Sequence, residues 1–302
     1  MNILNQFIDD RYALYNGDSC ELIKNIPDNS IHYTVFSPPF ASLYTYSNSD
    51  RDMGNCKTDN EFYEHFKFLA KELYRVTMPG RLLSFHCMDL PMMKERDGVI
   101  GLKDFPSLIR QLFEDCGFIY HSKVTIWKNP VTEMQRTKAL GLLWKQIKKD
   151  SSMNRQGIPD YIVTMRKPGD NPERITHTDE SFPCDVWQKY ASPVWMDIKQ
   201  SDTLNRKPAR DKSDERHICP LQLDVIRRCV ELWSNPNDIV FDPFAGIGSV
   251  PYTSVRLGRR GLGFELKESY YKQAEINLDM ALHEDKIEQI GGQMDIFDFI
   301  KG

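Results

Sequence analysis

Apolar and polar positions in this chain follow two periods, which alternate over the first 128 residues. Short, continuous apolar runs predict buried strands, and apolar spacings of three and four predict amphipathic helices. Strands that alternate with helices predict a doubly wound, mostly parallel sheet. The predicted strands are 12–15, 31–36, 81–85 and 120–127, a short helix follows the first of them, and longer helices are predicted at 60–77 and 104–116.

The later part of the chain continues this pattern. The run 160–166 predicts a strand antiparallel to 120–127, so that the two close the sheet as a hairpin. A strand that ends at Asp242 and a second short strand at 260–265 enclose a glycine turn and the start of a helix. A last helix is predicted at 267–280.

The strand 31–36 runs directly into the tetrapeptide Ser37-Pro38-Pro39-Phe40. Two prolines cannot extend a strand ladder, so the chain must turn at the carboxyl end of the strand, where open α/β sheets place their ligands. The Ser37 hydroxyl and freed backbone carbonyls can accept hydrogens from the exocyclic amine of a flat base, while the Phe40 ring stacks on that base. A proline-rich turn that only closes the strand is the alternative interpretation of the tetrapeptide.

A second motif favours the ligand-binding interpretation, namely Asp242-Pro243-Phe244-Ala245-Gly246-Ile247-Gly248-Ser249. Its glycines permit tight turning and close approach of the backbone, while the strand-end Asp242 can accept a hydrogen bond from a cationic amine. Glu265 follows Gly246 by 19 residues, close to the spacing of roughly 20 at which an acid grips ribose hydroxyls. We therefore expect an adenosine-like cofactor. Pro251 occupies the place of the third glycine of the dinucleotide motif, which makes NAD the less favoured ligand.

Composition excludes several other classes of protein. No run approaches the roughly 18 apolar residues of a membrane span, and the first residues lack a basic, apolar signal sequence, so we expect a cytoplasmic protein without membrane contact. The seven cysteines contain no Cys-x-x-Cys pair, so neither a metal site nor a disulfide framework is indicated. The net charge is −4, but 123–174 carries eleven Lys or Arg against five Asp or Glu. The basic character is therefore local.

Together, the two motifs resemble those of the S-adenosylmethionine-dependent DNA amino-methyltransferases, which act on N4 of cytosine or N6 of adenine. The tetrapeptide precedes the cofactor glycines, which is the permuted order of the β group. The segments 15–30, 76–85 and 216–223 are similar to further parts of that family. The resemblance implies a Rossmann-like methyltransferase fold with an antiparallel hairpin and an inserted DNA-recognition region, and a base that is flipped out of the duplex.

The resemblance also implies the site residues. The catalytic residues are Ser37, Pro38, Pro39 and Phe40. The residues that bind S-adenosylmethionine are Asp18, Phe36, Asp242, Pro243, Phe244, Ala245, Gly246, Gly248, Ser249 and Glu265.

Segments 1–128 and 216–302 are expected to form the permuted catalytic core, with 160–166 as a core strand. The segment 129–159 is too long for a hairpin loop, and we interpret it as a basic clamp that neutralises DNA phosphates. The alternative is an amphipathic helix with a solvated basic face. The polar segment 167–215 is the expected target-recognition region. The candidate DNA-binding residues are Arg136, Lys138, Lys145, Lys148, Lys149, Arg155, Arg206 and Arg210.

The resemblance leaves two candidates for the target base, cytosine and adenine. Ser at the first tetrapeptide position is more usual in N4-cytosine enzymes of that family, so cytosine is preferred over adenine, although Phe40 in place of the commoner Tyr does not decide between them. RNA or protein-glutamine methyltransferases and a non-enzymatic DNA-binding module are the rival classes. The expected partner is double-stranded DNA, and a cognate restriction endonuclease and a homodimer stay open.

Overall fold

A computed structural model describes residues 3–39, 59–92, 94–137, 140–205 and 221–290. Within them the strands are β1 Asn5–Asp9, β2 Tyr12–Asn16, β3 Ile31–Phe36, β4 Thr77–Cys87, β5 Leu90–Met92, β6 Gly101–Lys103, β7 Ile119–Ile126, β8 Asp160–Arg166, β9 Val194–Trp195, β10 Ile239–Asp242 and β11 Arg260–Glu265. The helices are α1 Ser19–Leu22, α2 Asp59–Val76, α3 Lys94–Asp97, α4 Phe105–Asp115, α5 Pro130–Thr137, α6 Trp144–Ile147, α7 Cys184–Tyr190, α8 Leu223–Trp233, α9 Ser249–Arg256 and α10 Glu268–Ile290.

One mixed sheet dominates the described residues, in the order β1-β2-β11-β10-β3-β4-β8-β7-β9. The strands from β2 to β4 are parallel, whereas β8 pairs antiparallel with both β4 and β7. The expected doubly wound sheet with an antiparallel hairpin is therefore confirmed. At the outer edges, β1 pairs antiparallel with β2, and β9 lies parallel to β7.

The central strands are buried on both faces, which explains their continuous apolar sequences. On one face, Phe36 of β3 packs in a core cluster with residues of α2 and α4, including Phe66 and Phe113. On the other face, Tyr33 and Val35 of the same strand pack in a cluster with residues of α8. None of the helices in the described ranges is long and apolar enough to cross a membrane.

The direction of winding reverses between β10 and β3. From β10 the chain continues through α9 to β11, and from β3 it continues through α2 to β4 on the opposite side. In open α/β sheets, the crevice at such a switch point, outside the carboxyl ends of the strands, is the usual ligand site. Ser37 follows one of these strands and Asp242 ends the other, so both sequence motifs lie at the switch point.

The described residues of 129–159 do not form one continuous helix, so that part of the alternative interpretation is wrong, whereas its solvated basic face agrees with the exposure of Lys145, Lys148 and Lys149. It forms α5 and α6 with 3-10 turns at Leu140–Leu142 and Ser151–Met153. Leu143 and Asp150 adopt extended backbone conformations, which break the helical path. No residue of α6 is buried, and Trp144 is 71% exposed. The apolar residues of this segment therefore do not form one buried stripe.

Helix α9 packs unusually close to β11, and glycines of the strand permit this approach. A Cβ atom built on Gly261 would lie 2.8 Å from the Pro251 Cα atom, and one on Gly263 would lie 3.0 Å from Pro251 Cγ. In the dinucleotide motif a third glycine on the helix serves close helix–strand packing. Here the helix carries Pro251 and the strand supplies the glycines, which explains how the departure from that motif is accommodated.

Gly261→Ala should therefore lower the free energy of unfolding by about 1–3 kcal/mol, because the new methyl group overlaps backbone atoms that cannot move independently. Urea denaturation measures this change. Gly101→Ala is the matched control, since its Cβ would meet only Met92 Sδ at 3.7 Å. Equal stabilities of the two variants would contradict this account of the α9–β11 contact.

Candidate functional site

The tetrapeptide begins at the switch point, as expected. Ser37 is half-buried, and Pro38 and Pro39 are buried, while Phe40 lies outside the described residues. The Phe36 ring is fully buried and lies 5.9 Å from the Phe244 ring, centroid to centroid. Phe36, predicted to contact the cofactor, therefore lies in the core behind the site, with neither its ring nor its backbone exposed.

Asp242 ends β10 with its carboxyl group buried, at 4% relative exposure. Its Oδ1 atom accepts a hydrogen bond from the Phe244 N–H at 2.9 Å. Burial raises the pKa of Asp242 from 3.8 to about 8, and the nearby Glu265 carboxylate adds to this rise. Among the described residues no basic side chain contributes to the shift, so the carboxyl group is suited to a cationic ligand group that would restore its charge.

The glycine loop that follows turns through two left-handed residues, Gly246 with φ +55° and Gly248 with φ +84°. An added Cβ on Gly248 would lie 3.0 Å from the Ala274 Cβ of α10, so glycine is required for both conformation and space. Ser249 begins α9 beyond this turn. Its hydroxyl is buried and has no hydrogen-bond partner among the described residues, which is unusual for a buried polar group.

Glu265 at the end of β11 holds the glycine loop in place. Its Oε2 atom accepts from the Gly246 N–H at 2.8 Å, and its Oε1 atom accepts from the Lys267 N–H at 2.8 Å. The 19-residue spacing seen in the sequence therefore corresponds to a direct contact between the loop and the carboxylate. Pro243 and Ala245 lie in the same loop, and the Ala245 N–H donates to the Phe264 carbonyl at 2.8 Å.

The end of β2 completes this side of the crevice. The Asn16 amide, which the sequence analysis missed, donates to the backbone carbonyls of Glu265 at 2.8 Å and Leu266 at 3.1 Å. Asp18 caps α1, where its Oδ1 atom accepts from the Cys20 N–H at 2.8 Å. The Ser19 hydroxyl donates to the Pro243 carbonyl. These contacts bring the predicted residues from both ends of the chain to one edge of the sheet.

A row of polar side chains behind Ser37 was also missed. The Ser37 Oγ atom lies 3.1 Å from His86 Nδ1, and Lys128 forms an ion pair with Asp160. His86 Nε2 makes no hydrogen bond among the described residues, but it lies 3.3 Å from Asp160 Oδ2. Burial opposes ionisation of Asp160, but His86 and Lys128 outweigh it and lower the pKa of that carboxyl group. The sequence signal is weak, because it consists of single polar residues in or next to apolar strands.

The candidate DNA-binding residues differ in their surroundings. Lys145, Lys148 and Lys149 are exposed. Arg155 instead donates to the Gln156 carbonyl at 2.8 Å and lies 3.6 Å from Glu133, so its charge is partly used inside the insertion. The side chain of Arg136 and the residues Lys138, Arg206 and Arg210 lie outside the described part of the chain.

The described part of 167–215 extends from the amino ends of the central strands to their carboxyl ends. At the amino end of β10, the Thr176 N–H donates to Asn235 Oδ1 at 3.2 Å. Further along, the Tyr190 hydroxyl donates to Glu231 of α8 at 2.6 Å. The segment then reaches the glycine loop, where Leu204 packs against Ile247. Only its last described residues therefore approach the candidate site.

Comparison with known proteins agrees with this geometry. A family model described as DNA methylase, for N6- and N4-methyltransferases, matches residues 31–276. The type II methyltransferase M.BglII of Bacillus subtilis is 25% identical over 272 residues, which cover 85% of this chain and 66% of M.BglII. The chain thus spans just under two thirds of that relative's length.

Two solved structures share the fold. The Thermus thermophilus protein TTHA0409, complexed with S-adenosyl-L-methionine, has a TM-score of 0.68 at 22% identity, covering 89% of this chain and 93% of that one. The cytosine-N4-specific PvuII DNA methyltransferase has a TM-score of 0.65 at 18% identity, covering 96% and 95%. The type II methyltransferase M.PvuII of Proteus hauseri is 23% identical to this chain over 305 residues, which cover 92% of this chain and 87% of M.PvuII.

Proposed function

Because this chain belongs to the DNA methylase family of N6- and N4-methyltransferases, we propose that it methylates the exocyclic amine of a flipped-out base in duplex DNA. One observation carries the proposal. The acceptor edge, which we define as the Ser37 hydroxyl and the Pro38 carbonyl, lies at the same switch point of the sheet as the loop between Asp242 and Glu265. A methyl label from S-adenosylmethionine that enters duplex DNA, but not RNA of the same sequence, would support it.

The cofactor proposal rests on the chemistry of the loop. Asp242 presents a buried carboxyl group that no basic side chain of the described segments compensates, which suits the ammonium group of an amino acid. The unpartnered Ser249 hydroxyl offers a further polar contact. Glu265 and Asp18 are assigned to the ribose and the adenine by the family resemblance. S-adenosylmethionine meets these requirements and supplies an electrophilic methyl group when bound, and the complex of TTHA0409 with this compound supports the assignment.

The residues around Ser37 are assigned to the target base. Its hydroxyl and the Pro38 carbonyl accept hydrogens from the target amine, which favours a tetrahedral nitrogen with an available lone pair. Phe40 stacks on the base after it has left the duplex. Holding both reactants in one crevice also removes much of the entropic barrier to their alignment.

We prefer cytosine N4 over adenine N6 as the target. The support is Ser37 at the first position of the tetrapeptide, together with the shared fold of the cytosine-N4-specific PvuII DNA methyltransferase. The alternative, adenine N6, requires the same acceptor edge and the same stacking ring, since both targets are planar bases with an exocyclic amine. The relatives are named type II methyltransferases, so we extend the proposal to a modification enzyme whose partner is a cognate restriction endonuclease.

The insertion 129–159 is assigned to the DNA backbone. Lys145, Lys148 and Lys149 lie in or directly after α6 and are exposed, while Trp144 and Ile147 of the same helix expose 71% and 46% of their surfaces. Exposed lysines release counterions when they neutralise phosphates, which provides affinity without reading sequence. Base reading is assigned to the end of 167–215, which approaches the glycine loop at Leu204.

Replacing Lys145, Lys148 and Lys149 together with glutamine should weaken DNA binding and reduce the slope of log K against log salt by about 0.9 for each phosphate that is no longer neutralised. Fluorescence anisotropy over a salt series measures this slope. The control replaces Lys24, Lys71 and Lys272, which are exposed on other elements. Identical slopes for the two triple variants would refute the clamp assignment.

A further inference from the structure

The polar row that begins at Ser37 crosses four neighbouring strands on one face of the sheet. Phe36 of β3 pairs with Phe85 of β4, so Ser37 and His86 come next to each other one residue further along. Asp160 begins the neighbouring strand β8, and Lys128 follows the end of β7. The order across the sheet is therefore a hydroxyl, an imidazole, a carboxylate and an ammonium group.

This row is buried among apolar residues. The side chains of His86, Asp160 and Lys128 are only 11%, 4% and 14% exposed to solvent. The adjacent strand residues Ile162 and Ile126 belong to the apolar core. Buried charges are costly unless they are paired, and apolar residues of similar size would stabilise the fold as well or better. A purely structural role therefore leaves the choice of these side chains without a reason.

The row determines the direction of the Ser37 hydroxyl hydrogen. Asp160, paired with Lys128, is an acceptor only, and its Oδ2 atom lies 3.3 Å from His86 Nε2, which makes no hydrogen bond among the described residues, so a hydrogen on Nε2 is the arrangement that this carboxylate favours. His86 Nδ1 is then a bare acceptor at 3.1 Å from Ser37 Oγ. The hydroxyl hydrogen points toward His86, and the lone pairs of Ser37 face the crevice.

We propose that His86 and Asp160 form a proton relay behind Ser37, which fixes Ser37 as the acceptor and removes the proton that methylation releases. This inference rests on the proposed function. The target nitrogen forms a bond to the methyl carbon, and the methyl–sulfur bond breaks with its electron pair left on sulfur. The nitrogen's surplus proton moves to Ser37 Oγ, while the Ser37 proton moves to His86 Nδ1. The resulting imidazolium is stabilised by the Asp160 carboxylate and later loses its proton to water.

His86 and Asp160 are thus positioning residues, because they act on the target only through Ser37. The charged groups next to His86 are Asp160 on β8 and Lys128 after β7, and Ser37 is its neutral partner on β3. A protonated His86 can no longer accept the Ser37 hydrogen. The relay therefore predicts that replacing His86 lowers the rate of the methyl-transfer step and leaves the binding of the cofactor and of DNA intact.

His86→Asn provides the test, because the amide oxygen can still accept from Ser37 but cannot take up a proton. Single-turnover methyl transfer to duplex DNA should fall about 10²-fold, while binding of S-adenosylmethionine and of DNA changes less than threefold. His121→Asn is the matched control, since His121 Nδ1 also lies 2.9 Å from a serine hydroxyl, but on the exposed part of β7.

A second measurement needs no variant and holds if His86→Asn does not fold. The ¹⁵N chemical shifts of the wild-type histidines should show His86 as the neutral tautomer with its hydrogen on Nε2, whereas a hydrogen on Nδ1 would overturn the relay. If the wild type is active and His86→Asn matches it at every pH, the relay is wrong and the proposed function stands. If the wild type transfers no methyl group to DNA, the proposed function fails and the relay fails with it.

Discussion

Glu265→Gln is expected to reduce the affinity for S-adenosylmethionine by at least about 10²-fold. Both carboxylate oxygens accept backbone N–H groups, from Gly246 and from Lys267, at 2.8 Å each. A glutamine side chain can satisfy only one of these donors, because its NH2 group would face the other. Hydrogen bonds to charged groups contribute roughly 1.5–3 kcal/mol each, so the variant loses order in the glycine loop and also the carboxylate that we assign to the ribose hydroxyls.

Isothermal titration calorimetry measures this affinity directly. The control is Glu268→Gln, since Glu268 lies three residues further along and forms an exposed ion pair with Lys272 at 2.6 Å. Surface pairs of this kind contribute little, so the control should bind the cofactor like the wild type. A Glu265→Gln variant with unchanged affinity would show that the carboxylate contact to the loop has no part in cofactor binding.

Asp242→Asn should have opposite effects on stability and on cofactor binding. The folded-state pKa of Asp242 is about 8, above its ordinary value of 3.8, so ionisation of this group opposes folding. Its contribution to stability is complete below about pH 4 and is lost as the pH rises through about 8. Asparagine mimics the protonated carboxyl group, including the oxygen that accepts from Phe244. The free protein should therefore be more stable than the wild type at pH 9, by roughly 1–3 kcal/mol.

Cofactor affinity should fall in the same variant, because an amide cannot attract a cationic amine. Since the cation binds the ionised carboxyl group, wild-type binding at pH 7 should also release a proton, which calorimetry in buffers of different ionisation enthalpy detects. Thermal unfolding at pH 5 and pH 9 measures the stability change, which should be larger at the higher pH because the loss begins above about pH 4 and is complete only above about pH 8. A variant that is no more stable at pH 9 and binds S-adenosylmethionine normally would exclude the assigned role of Asp242.

The central strands could be predicted from the sequence because they are buried on both faces. The predicted strands at 160–166 and 260–265 coincide with β8 and β11. The spacing between Gly246 and Glu265 predicted an acid that grips ribose hydroxyls, and the structure adds a direct contact between the two residues, which belong to one local strand–helix–strand unit. These predictions required only neighbouring parts of the chain.

The remaining features depend on contacts between distant parts of the chain. Ser37 meets His86 only through the pairing of β3 with β4, and His86 meets Asp160 only through the pairing of β4 with β8. A single polar residue in an apolar strand does not indicate its partner on another strand. The breaks in 129–159 were likewise hidden, because Leu140 and Trp144 suggested a continuous helix, whereas Leu143 is extended between them.

The most direct test of the account is transfer of a labelled methyl group from S-adenosylmethionine to mixed-sequence duplex DNA, followed by mass spectrometry of the released nucleosides. The account predicts N4-methylcytosine, and its appearance would establish the amino-methyltransferase and its preferred base together. N6-methyladenine would retain the site and the mechanism but transfer the assignment to adenine. Label in RNA or in protein glutamine, with none in any duplex DNA, would contradict the central claim.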